Sequence, residues 1–259
     1  MICRLMLIVC MGVCGIGSAL AADAPLPTVG LRDGESMTYS VRWGFIPAVG
    51  KIVISAQKVG EGSGAILRVT TTTSTWGIAR GLFAFDGRGV SEYNLATGLL
   101  ISNSEWSAYR DKVVKDSITF NYGKSTADFV DYINPEKSHL IPMPSGNPSD
   151  LINALIQTRA WGIKPGQQRD SLVIFKDDFY QLTIHADDYE YAWTMFGVFK
   201  TLPLMPRMEK TEPKGMFKKG STVKVWIETD DERRLPVRFQ VGFGFGSGIA
   251  SLTDYTPPK

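Results

Sequence analysis

After Cys14 the 259-residue sequence contains no further cysteine. That absence excludes disulfide staples, thiolate zinc sites, thiol nucleophiles and iron–sulfur clusters from everything downstream. Histidine is nearly as scarce: His139 and His185 are the two imidazoles, and neither has a partner at metal-ligand spacing. A Ser-His-Asp triad would have to use one of them, and no G-x-S-x-G elbow accompanies them. His185 falls in an alternating run, Tyr180 to Ala186, where a structural strand histidine is the simpler reading. Basic runs are short: the formal net charge is +2, and Lys218-Lys219 and Arg233-Arg234 are pairs suited to solvated turns. With no RNP-like aromatic motif either, nucleic acid is not an expected partner. The acidic groups Asp177-Asp178, Asp187-Asp188 and Asp230-Asp231-Glu232 lack the alternating oxygens and central glycine of a calcium loop. No metal and no cofactor is expected.

The first stretch has its own logic. Arg4 is the sole charge before Asp23, Leu5 to Leu20 is largely apolar, and Ala19-Leu20-Ala21-Ala22 offers small residues for a signal peptidase. Residues 1–22 therefore read as a cleaved secretory signal peptide. Neither Cys10 nor Cys14 has the small preceding residue of a lipoprotein site, since each follows valine. No later apolar run is long enough to span a bilayer as a helix. The mature chain is expected to be exported, to the periplasm or alternatively outside the cell. Residues 23–33, rich in Pro and Ala, read as a loose leader to a single domain over 34–259.

That domain reads as mainly β. Ile52, Ile54 and Ala56, then Val114, Asp116, Ile118 and Phe120, then Val223, Val225 and Ile227 each recur at every second residue. Period-two runs of this kind signal half-buried strands, and the threonines after Val69 favour extended backbone. Turn residues at 60–62, 97–98, 122–124 and 219–220 separate about a dozen strands. The expected fold is a strongly curved antiparallel sheet, half-barrel or sandwich, with one amphipathic helix packed on it. The helix is predicted after Pro148, with Ser149 as cap and Asp150 in its first turn. Leu151, Ile152, Leu155 and Ile156 give it an apolar stripe over about three to four turns. Glycines at 242, 244, 246 and 248 fall on alternate residues and predict a strand with one bare face.

Several ordered segments resemble the DUF3108 family. Gly34-Glu35 with Met37, Tyr39, Val41 and Trp43-Gly44 resembles its opening strand. Tyr109-Arg110-Asp111-Lys112, Pro148 through Arg159, Lys164-Pro165-Gly166, and Thr194-Met195-Phe196-Gly197 with Lys200 continue the resemblance. Trp226 followed by Asp230 to Val237 completes it, and the glycine-rich 242–248 stretch departs from it. The resemblance implies an exported envelope protein on a curved sheet, without an established activity.

Function is expected to be non-enzymatic. One expectation is a half-barrel holding a lipid or other apolar small molecule, on the fold-level analogy of periplasmic lipid and lipoprotein carriers. A second is a scaffold or assembly factor contacting another envelope protein through an exposed apolar edge or the glycine strand. A third is a carboxylate-dependent hydrolase, which would need two acids in one cleft and a shifted pKa. The candidate ligand-binding residues are Tyr39, Trp43, Arg110, Asp150, Arg159, Trp226 and Asp230. Arg159 suits either a buried acid or an anionic head group.

Overall fold

A computed structural model describes residues 29–244 and 246–259, so the expected signal peptide lies outside the described residues. Strands β1 (Ser36–Trp43), β2 (Ile46–Val59), β3 (Ile66–Thr75), β4 (Phe85–Asn94), β5 (Leu100–Tyr109), β6 (Lys112–Asn121), β7 (Thr126–Asp131) and β8 (His139–Pro142) form an up-and-down meander. A short helix, α1 (Gly77–Leu82), interrupts the turn between β3 and β4. The second half comprises β9 (Ser149–Asp150), α2 (Leu151–Ile156), β10 (Gln168–Phe175), β11 (Asp178–Ala186), β12 (Glu190–Thr194), β13 (Gly197–Arg207), β14 (Thr222–Glu228), β15 (Pro236–Phe243) and β16 (Gly246–Thr256). Pairing of β1 with β16 joins the halves into one sheet running from β8 through β1 and β16 to β9. Every pairing is antiparallel except β9 with β10. The mainly β, curved-sheet expectation is met, with sixteen strands in place of about a dozen.

The alternation read in the sequence sets which face is buried. On β6, Asp116, Ile118 and Phe120 are buried while Lys115 and Thr119 are exposed. Across the sheet, Met37, Tyr39, Ile54, Leu67, Val69, Tyr93, Leu100 and Phe129 share that core. A second cluster, centred on Leu182, Ile184, Leu202, Leu204 and Val225, fills the C-terminal half. Helix α2 sits between them, with Ile156 in the first cluster and Ala154 and Leu155 in the second.

The helix is shorter than its stripe predicts. Six α-helical residues continue into a 3-10 turn over Gln157–Ala160. The cap is Asp150, whose Oδ1 accepts from Asn153 N at 2.8 Å. Ser149, expected as the cap, is instead a strand residue whose Oγ meets Tyr93 and Asn153. Of the expected loose leader, residues 23–28 lie outside the described residues, and residues 29–33 pack against the domain. Leu31 is buried in the core, and Gly30 N donates to Asn153 Oδ1 at 2.9 Å. A Cβ on Gly30 would lie 2.6 Å from Gln157 N, so only glycine lets the chain pass this close to the helix.

The glycine-rich stretch is a hairpin, not one strand. Phe243 pairs with Gly246, so the chain reverses there and β15 returns as β16. Gly246 adopts φ +146°, and Cβ atoms at Gly246 and Gly248 would lie 3.1 and 3.4 Å from the Trp43 indole. The bare backbone therefore makes room for Trp43 on the neighbouring strand.

One buried ion pair ties the N-terminal segment to the helix. Arg159 Nη2 reaches both Glu35 carboxylate oxygens at 2.8 and 2.9 Å. Glu35 is fully buried, and it also accepts from Tyr255 Oη at 2.9 Å and Arg32 N at 3.0 Å. Removing one member of such a pair strands the other charge, which typically costs about 3–5 kcal/mol. Arg159→Ala should therefore lower the urea midpoint sharply. Arg159→Met combined with Glu35→Gln keeps an oxygen for Tyr255 and Arg32 and should recover most of the loss. Equal destabilisation by both variants would mean that packing, not charge, is what Arg159 provides.

Candidate functional site

The inward-facing side of β3, β4 and β5 changes character along its length. Towards one end it carries Leu67, Val69, Tyr93 and Leu100, which are buried. Towards the other it carries Thr71, Thr73, Gly87, Gly89, Ser91, Asn103, Glu105 and Ser107, which line a cleft of about 240 Å³. Residues of α2 and β10, including Ile152, Phe175 and Lys176, form the opposite wall. Gly89 has no atom within 4 Å of where a Cβ would stand, so its missing side chain opens the floor.

The apolar half is filled by the protein itself. Ile152, Ile156, Ile174 and Phe179 pack onto it, and the Phe179 ring meets Phe120 edge-on at 6.3 Å. What stays open has hydroxyl, amide and carboxylate groups together with the Arg88 and Lys176 cations, against an apolar wall that includes Phe85, Trp106, Ile174, Phe175 and Met216. An apolar hollow between Tyr180, Met208 and Phe217 holds only about 30 Å³.

Two polar clusters hold the segment over residues 149–160 in place. Tyr93 Oη donates to Asp150 Oδ2 at 2.5 Å and contacts Ser149 Oγ at 2.9 Å, linking β4 to the start of α2. Burial, then the adjacent Asp150 carboxylate, push the Tyr93 phenol well above its ordinary range. The second cluster is the Glu35–Arg159–Tyr255 group, where burial and then Glu35 push Tyr255 up to about 12.

Beside the cleft lies a carboxylate crowded by like charges. Asp116 pairs across the sheet with Glu105, which lines the cleft, and with Asp131 on its other side. It is 8 % exposed and no protein group hydrogen-bonds it among the described residues. Burial raises it to about 6, with Glu105 and Asp131 adding to the effect and Lys176 opposing it. Directly opposed like charges are unfavourable in a sheet.

The seven residues singled out from sequence do not converge. Asp150 borders the cleft. Arg159 is engaged with Glu35, and Tyr39 donates to Pro236 O at 2.9 Å inside the core. Trp43 lies over the glycine hairpin. Trp226 is buried under the β12–β13 hairpin, where its Nε1 donates to Glu190, and Lys224 Nζ and the Arg238 guanidinium lie 4.9 and 5.5 Å from its ring centre. Arg110 is an exposed turn residue at φ +51°, and Asp230 is exposed in the β14–β15 turn. His185 contacts Glu209 Oε1 at 3.0 Å, away from the cleft. Glu105, Asp116 and Lys176 are the residues that sequence reasoning passed over. One signal was present: Asp116 occupies the apolar phase of the β6 alternation, where a charge has no packing reason to be.

Because the folded state holds the Asp116 proton more tightly than an unfolded chain, folding takes up protons between pH ~4 and ~6. Stability linked to this group is therefore present at low pH and falls as pH rises through about 6. Asp116→Asn should stabilise the protein at pH 7.5 by about 1–2 kcal/mol, after allowing for screening, and by nothing near pH 4. Chemical unfolding at the two pH values measures this. Equal effects at both would show that the residue's charge is not what matters.

Comparison with known proteins adds fold and family. The structure aligns with a β-barrel-like protein of domain of unknown function DUF1849 from Brucella abortus at TM-score 0.53 and 7 % identity, over 89 % of this chain and 98 % of that one. A protein provisionally described as exported, with a YmcC-like fold, from Bacteroides fragilis aligns at TM-score 0.32 and 10 % identity, covering 89 % and 98 %. One provisionally described as a lipoprotein, from Parabacteroides distasonis, aligns at 0.33 and 9 %, covering 89 % and 99 %. At these identities the Brucella likeness shows the fold alone, and the other two carry no argument. No curated protein matches the chain. Among the described residues no helix is long and apolar enough to cross a membrane. The family model described as protein of unknown function DUF3108 matches residues 38–253, and the chain belongs to that family.

Proposed function

We propose that the protein is an exported, periplasmic binding protein without catalytic activity, whose concave-face cleft takes a small, hydrogen-bonding ligand bearing a positive charge. The signal-like residues 1–22 support export. The observation that carries the ligand class is the polar part of the lining: hydroxyls and an amide around Glu105, with Asp150 nearby, Asp116 and Asp131 behind Glu105, and Arg88 and Lys176 as the counter-charges. A few convergent polar groups in a concave site fix a ligand's orientation. A volume of about 240 Å³ suits a small molecule or one end of a larger one. An acyl chain would find an apolar wall in Ile174, Phe175 and Met216 but would strip water from the hydroxyls and Glu105 without replacing their hydrogen bonds. The hydrolase reading is weaker too. Glu105 and Asp150 both line the cleft, but Asp150 is taken up by Tyr93 Oη and Asn153 N, which leaves Glu105 without an opposed free acid or base.

Thermal unfolding with added ligands tests the reading. Spermidine at a hundredfold excess over its dissociation constant should raise the midpoint by about 5–10 °C. Glu105→Gln should remove most of that shift, and palmitate should give none. A shift with palmitate but not with spermidine would return the protein to the lipid carriers.

A further inference from the structure

One end of the sheet carries large apolar side chains that nothing in the described chain covers. Trp43 pairs with Ile46, Ser74 with Asp86 and Tyr109 with Lys112, which places the β1–β2, β3–β4 and β5–β6 loops side by side there. Phe45 is fully exposed at the first tip, next to Ile46. The second loop is α1, where Ile78 is 86 % and Leu82 64 % exposed, with Trp76 and Phe83 flanking it half open. Trp76 N donates to Val49 O at 3.2 Å, which fastens this loop against β2 and next to the first tip.

Each tip has an arginine at its base. Arg42 donates to Gly44 O, and the Arg110 guanidinium lies 5.8 and 5.3 Å from the centres of the stacked Phe83 and Tyr109 rings. These two contact a carbonyl and aromatic faces in place of a carboxylate, whereas Arg80 on α1 pairs with Asp86 at 2.7 Å. The apolar groups stand on separate tips and form knobs, not a groove or a flat patch.

We propose that this rim docks on the surface of an anionic lipid bilayer. Phe45, Ile46, Ile78 and Leu82 enter the boundary between head groups and acyl chains. Arg42 and Arg110 sit at the level of the phosphates, and Trp76 occupies the interfacial depth that indoles favour. Knobs suit a deformable lipid surface, which needs no matching set of pockets. The two guanidiniums without carboxylate partners supply the charge complementarity that selects an anionic surface.

Co-sedimentation of the purified protein with vesicles tests the proposal. Vesicles of phosphatidylglycerol and phosphatidylcholine should bind it about thirtyfold more tightly than phosphatidylcholine alone, at about fivefold per guanidinium. Phe45→Ser with Ile78→Ser should weaken binding at least about tenfold, since each side chain otherwise leaves water. Both residues are exposed, so the thermal midpoint should match that of the parent and report a folded variant. Arg42→Gln with Arg110→Asn should erase the preference for phosphatidylglycerol, asparagine being tolerated at positive φ. Absence of binding to either vesicle, or unchanged binding by the serine variant, would overturn the proposal. So would a dimer by light scattering that the serine variant dissolves, which would assign the rim to a second copy of the chain.

Discussion

An open sheet curled upon itself must cover its concave apolar face, and here residues 149–160 provide much of that cover. Everything else follows from keeping them in place. The sheet ends at β8 on one side and the two-residue β9 on the other, so among the described residues no strand pairing closes it. Two buried polar groups hold the cover instead: Tyr93 with Ser149 and Asp150 at its start, and Glu35 with Arg159 at its end. Both reach far along the chain, so the helix position is specified by polar contacts that a displaced helix would leave unsatisfied.

The same arrangement explains why a cleft exists. The helix and β10 cover the apolar half of the concave face and stop where Thr71, Gly89 and Glu105 begin. Thr71, Thr73, Ser91 and Ser107 there are short and polar, so that part of the face remains wet without a large apolar penalty. Cleft and rim lie on the same run of strands: Phe85 lines the cleft, and the loop just before it carries Leu82 and Phe83. A ligand in the cleft would thus sit close to whatever the rim touches.

The neighbouring carboxylates make this end of the sheet the electrostatically strained part of the molecule. Glu105, Asp116 and Asp131 occupy successive strands at one level, and Lys176 opposes the charge of Asp116. The ion pair at Glu35 is closed by three donors, whereas Asp116 is closed by none. That contrast separates a carboxylate whose hydrogen bonds are made within the fold from one that makes none there.

Alternation in the sequence was enough to determine the β class, the buried face of strands such as β6, and a helix beginning near Asp150. These depend on neighbours one or two residues away, and local geometry alone sets them. The glycines at 242–248 were legible as unusual but not as a hairpin, because the turn depends on pairing with β1 and on the Trp43 ring. Arg159 was legible as a charge in need of a partner, while Glu35, 124 residues away, became that partner only when the sheet curled. The cleft and the rim were not legible at all. Each collects residues that the sequence keeps apart, and only the register between strands brings Thr71, Gly89 and Glu105, or Phe45 and Ile78, to one place.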